Sequence, residues 1–105
     1  MISNFKHLFR SKSTFKFKEH ADTLCNACVH VQKEDAPVLY AQKNRGGEWL
    51  FHCGKDSHVE EQFIVLTLQQ VAEIDPKLNG LYRMPEGARA RRASKNSSWV
   101  PSRLS

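Results

Sequence analysis

The side chains best suited to chemistry are three cysteines and the histidines that stand among them between positions 25 and 58. Cys25 and Cys28 form a C-x2-C pair, Cys53 follows after 24 intervening residues, and His58 completes a C-x4-H pair. His30 and His52 stand close by in sequence. Thiolate and imidazole are the donors that zinc takes four at a time in a tetrahedron. A C-x2-C turn can offer two sulfurs to one ion while a neighbouring loop brings the second pair, as in a zinc-ribbon-like arrangement. A strand over 27–31 selects differently. Residues two apart then share a face, so Cys28 and His30 would join Cys53 and His58, with Cys25 as the alternative ligand. Four protein ligands leave no open position, so a zinc held this way would be structural. The competing reading is a set of core thiols: cysteine is among the most buried residue types, and Cys53 follows Trp49 and Phe51 on an apolar face.

Other chemistries are less well furnished. A cysteine nucleophile at Cys53, with His52, His58 or His30 as base, needs an exposed, activated thiolate and a base within hydrogen-bond reach. No orienting residue or oxyanion donor stands out beside it. There is no phosphate-cradling glycine loop and no metalloprotease helix motif, so a non-enzymatic protein is expected. The acidic cluster Asp56, Glu60 and Glu61 reads as a solvated loop. The basic run Arg89, Arg91, Arg92 and Lys95, followed by Trp99, offers phosphate contacts and a ring on which a base could stack. It belongs to no recognisable nucleic-acid-reading module, and its plain alternative is a solvated face.

These residues need elements to position them. Alternation over 27–31, 37–42 and 48–53 reads as three strands, the last two joined through the Asn44-Arg45-Gly46-Gly47 turn into an antiparallel hairpin. Phe63 to Leu66 is a fourth, short strand. Thr67-Leu68-Gln69-Gln70 has the form of a capping box, which starts a short helix whose buried stripe is Leu68, Val71 and Ala72. Asp75 and Pro76 end that helix and open another turn of helix as cap and first residue. Residues 88–93 are consistent with helix, and 95–105 with a loose tail on which Trp99 alone would dock. The expected fold is α+β: a small antiparallel sheet of three to four strands with one or two short helices packed on one face.

The chain has 105 residues, 40% of them hydrophobic and 26% charged, an ordinary globular balance with room for one domain. The expected organisation is a basic segment over 1–14, a single α+β domain over 15–87 and a basic tail over 88–105. Charge is segregated. Residues 1–20 hold five basic and one acidic residue, 21–82 five and nine, and 83–105 six and one, within a formal net charge of +5. No run approaches the roughly 18 apolar residues of a membrane span. The first twenty residues lack an apolar stretch and a small-residue cleavage site, so no secretory signal is expected. An odd number of cysteines without an extracellular signature fits reduced thiols and a cytoplasmic location.

Taken in order, Phe15-Lys16-Phe17, Cys28-Val29-His30-Val31, Pro37-Val38-Leu39-Tyr40, Trp49-Leu50-Phe51-His52-Cys53-Gly54, His58, Asp75-Pro76-Lys77-Leu78, Pro85-Glu86-Gly87 and Trp99 resemble a family of small bacterial proteins of unknown function. A broader related group includes immunity proteins of bacterial toxin systems. Two positions depart from the family pattern: the hairpin turn, acidic in the family, is Asn44-Arg45-Gly46-Gly47, and Ala88 stands where a Trp is expected. The resemblance implies a small protein-binding module, immunity-like or regulatory, with another protein as partner. The alternative is a zinc-stabilised module that binds nucleic acid through its basic ends.

Overall fold

The computed structural model describes residues 15–33, 36–55 and 60–104. The basic segment 1–14, Asp56 and His58 lie outside the described residues. In chain order the elements are strand β1 (Leu24–Cys28), helix α1 (Val29–Gln32), β2 (Tyr40–Lys43), β3 (Trp49–His52), a 3-10 turn (Glu60–Gln62), β4 (Phe63–Thr67), α2 (Leu68–Ile74), a 3-10 helix (Pro76–Leu81), β5 (Ala88–Arg91) and β6 (Val100–Arg103). The six strands form one sheet in the order β4-β1-β3-β2-β5-β6. β1 and β3 run parallel, and every other neighbouring pair is antiparallel.

The class is α+β, but the expected three- to four-stranded antiparallel sheet is wrong: the sheet is six-stranded and mixed. Two segments account for the difference. Residues 88–91 read Ala-Arg-Ala-Arg, and the alternation wins over the helical preference of alanine. Ala88 and Ala90 turn into the core while Arg89 and Arg91 turn away, and β5 pairs with β2 along its length. β6 then adds to β5, where a loose tail was expected. The first strand is also displaced. It spans Leu24–Cys28 instead of 27–31, because its ladder to β4 ends at Cys28 opposite Phe63. The chain turns there into α1, which buries Val31.

One row of side chains explains how the helices reach the sheet. Ile64, Ala27, Phe51, Ala41, Ala90 and Pro101 stand in line across all six strands. Phe51 is flanked by alanines on both sides, so the helical layer can come close to it. Val31, Leu68, Val71 and Leu78 from the helices belong to one core with Trp49 and Phe51. The capping box expected at Thr67 is formed: the Gln70 amide donates to Thr67 Oγ1 at 3.1 Å, and the Thr67 amide donates to Gln70 Oε1 at 2.8 Å. The hairpin turn closes as expected, with the Asn44 amide donating to the Glu48 carbonyl at 2.8 Å and Gly47 at φ +92°.

Two ion pairs are built into this core. Lys43 faces inward from β2, donates to Glu19 at 2.9 Å and lies over the Trp49 ring. Arg92, just beyond β5, has a side chain with no exposed surface and pairs with Asp75. It also donates to the Val38 carbonyl at 2.8 Å and the Lys95 carbonyl at 3.1 Å, and it lies over Trp99. Asp75 meanwhile caps the 3-10 helix through the Lys77 amide at 3.2 Å. Removing one member of such a pair strands a buried charge. Asp75→Ala should therefore lower stability by about 3–5 kcal/mol. Asp75→Ala/Arg92→Met should lose less than the two single losses combined, with a coupling of at least about 1 kcal/mol. Urea denaturation of the four proteins measures both, and additive losses would refute the coupling.

Candidate metal centre

Cys28 is the last residue of β1 and the residue before α1, with extended backbone at φ −76° and ψ 154°. Its side chain makes no capping hydrogen bond to the helix. His30 lies in α1, one residue beyond Val29. Cys53 follows β3 directly. Parallel pairing sets Ala27 level with Phe51, so the ends of β1 and β3 lie side by side and the two cysteines leave the sheet together. Gly54 then turns the chain away at φ +90°. A Cβ there would sit 3.2 Å from the Leu39 Cβ, so this turn favours glycine both by φ and by space.

The donor atoms of Cys28, His30 and Cys53 lie within 4.8 Å of one another, and these three residues form a group that could hold a metal ion. Cys53 Sγ is 3.9 Å from His30 Nδ1. Cys28 is 0% exposed and Cys53 6%, while His30 is half-buried and forms the solvent side of the group. Burial pushes the Cys28 thiol above its ordinary value, and the neighbouring Cys53 adds to the rise. The backbone N–H groups of Val31 and Cys53 act the other way, favouring the thiolate. Nothing in the amino-acid types announces these two donors, since they come from where α1 begins and β3 ends.

The expected ligands are thus partly assembled. Cys28, His30 and Cys53 meet, although the shared strand face that suggested the first two does not exist, because His30 is helical. Cys25 lies outside the group, on the core side of β1, and its burial raises the thiol to about 12. His52 also lies outside it: its Nδ1 accepts from the Gly54 amide at 2.9 Å, and its ring stacks on Tyr40 at 4.2 Å. The residues of the nucleic-acid alternative are dispersed. Arg89 donates to Ser102 at 3.2 Å, Arg91 lies over Tyr40, Lys95 is exposed, and Arg92 is buried against the half-buried Trp99.

No protein-family model matches the chain, no curated protein matches it and no solved structure matches it. No helix among the described residues is long and apolar enough to cross a membrane.

The raised Cys25 thiol has a consequence for stability. The folded chain holds this proton more tightly than the unfolded chain, so the stabilisation is present below the ordinary thiol value of 9.0 and is lost as pH rises toward about 12. Metal-free protein should lose stability above about pH 9, and Cys25→Ala should flatten that fall. Urea midpoints collected on both proteins from neutral to alkaline pH decide it, and parallel curves would refute the assignment.

Proposed function

We propose that the protein is a zinc-binding module in which Cys28, His30 and Cys53 are ligands and the metal is structural. The observation that carries this reading is the convergence of two thiols and an imidazole, from segments 23 residues apart, within 4.8 Å. Tetrahedral zinc–thiolate and zinc–imidazole bonds imply donor separations of about 3.5–3.8 Å, so binding requires only a small contraction. Near-complete burial of both sulfurs argues against a nucleophile, which must be reachable. The C-x4-H spacing from Cys53 nominates His58, outside the described residues, as the fourth ligand. A site closed by four protein donors holds α1 against the end of β3 and leaves no position for a substrate. Zinc at this point clips together chain segments that the fold already brings side by side.

The wider role we propose is non-enzymatic binding of another protein. Binding nucleic acid through the C-terminal basic run is less favoured, because Arg92 is spent on Asp75 and covers one face of Trp99.

Metal analysis of untagged protein tests the proposal. One zinc per chain is expected, and a strong chelator should lower the melting temperature by about 5–10 °C or more, because metal-binding energy is folding energy. Cys28→Ser and His58→Ala should each weaken zinc binding at least about tenfold, whereas Cys25→Ser should retain the metal. Zinc uptake near neutral pH should release at least about one proton, that of the Cys28 thiol. Metal-free protein whose melting ignores both zinc and chelator would overturn the reading.

A further inference from the structure

The two edges of the sheet are unlike. β6 carries Pro101, which has no N–H to donate, and Arg103, and all four of its residues are exposed. Proline and charge are the usual devices that keep an edge from pairing with another chain. β4, at the opposite edge, reads Phe63-Ile64-Val65-Leu66-Thr67 and has no proline, glycine or charged residue. Val65 at its centre is 60% exposed, and Leu24 on the adjoining β1 is 64% exposed. The register sets Asn26 opposite Val65 and Leu24 opposite Thr67, which makes Leu24 and Val65 diagonal neighbours on one face. Two of the most exposed large apolar side chains among the described residues therefore adjoin at the sheet edge that carries no proline and no charge.

We propose that β4 pairs antiparallel with β4 of a second copy, about a two-fold axis at Val65, joining two six-stranded sheets into one. The strand is complementary to itself. With the axis at Val65, Val65 faces its counterpart, Ile64 faces Leu66, and Phe63 faces Thr67. No charges oppose one another along the seam, although each chain carries a formal +5 overall. The pairing adds a ladder along the outer side of both strands and sets Val65 beside its counterpart on one continuous face. Because the same edge is used by both copies, assembly closes at two. Pro101 obstructs the head-to-tail alternative of β4 on β6, which would grow into filaments.

Sedimentation equilibrium of the full chain across the micromolar range tests this. A dimer is expected. Val65→Lys should raise its dissociation constant at least about tenfold, while Val100→Lys, exposed on β6, should leave it unchanged. Opposed residues of an antiparallel pair have Cα atoms about 4.5–5.5 Å apart, within disulfide reach. Oxidised Val65→Cys should therefore yield a dimer linked through residue 65, a result that does not depend on how well the lysine variant folds. A chain that stays monomeric throughout would overturn the proposal. So would a dimer that is neither weakened by Val65→Lys nor linked through Val65→Cys.

Discussion

The parallel pairing of β1 with β3 is the constraint on which the rest of the molecule depends. Among the described residues it is the one parallel contact in an otherwise antiparallel sheet. Antiparallel neighbours would put the C-terminal ends of these two strands at opposite ends of the strand direction. Parallel neighbours put them together, so that Cys28, where β1 stops, meets Cys53, where β3 has just stopped. The same pairing places β3 at the middle of the sheet, with Trp49 and Phe51 under the helical layer. A parallel contact cannot be made by a tight hairpin. The chain has to leave β1, build β2 one place further out and return, and α1 is the start of that excursion.

This is why some of the fold was legible in the sequence and some was not. Local signals held. Thr67 and Gln70 form both bonds of the capping box, Asp75 caps the helix that Pro76 begins, and the Asn44–Gly47 turn joins β2 to β3. Those signals are read from a few consecutive residues. Where a segment's state is fixed by its neighbours in space, the sequence misleads. Ala88–Arg91 has helical composition, yet β2 offers it an edge with matching small side chains at Ala41. Val29–Gln32 alternates like a strand, yet the end of the β4 ladder at Cys28 leaves it nothing to pair with. Of the candidate site, Cys28, His30 and Cys53 were visible as residue types. Their meeting comes from a strand end, a helical turn and a parallel register, none of which a spacing rule contains.

Charge shows the same division between composition and place. Net charge by segment suggests two basic ends that act as units. In the structure Arg92, from the C-terminal basic end, is an interior residue paired with Asp75, and Lys43, from the acidic middle, is an interior residue paired with Glu19 of the N-terminal end. Each pair ties segments distant in sequence. Glu19 fastens the chain before β1 to β2 and also accepts from the Trp49 indole at 2.8 Å. Asp75 fastens the turn after α2 to the chain beyond β5. Buried pairs of this kind contribute little net stability relative to apolar packing, but they are costly to break. They specify where these segments go: a misplaced segment would leave a charge buried alone.

The Cys28–His30–Cys53 group could hold a metal ion, and the burial of its thiols sets what binding would require. At neutral pH burial keeps the Cys28 proton in place, and a negative charge on Cys53 would oppose its loss further. The buried Cys28 sulfur is therefore tolerated as the neutral thiol. A divalent cation bound here would reverse that balance: it would replace the proton, offset the repulsion between the two sulfurs, and let the Val31 and Cys53 N–H groups point at a thiolate instead of a thiol. The unstable arrangement is the one between these two, a single buried thiolate with no cation. Were a metal bound through Cys28, its uptake would carry the release of that proton with it.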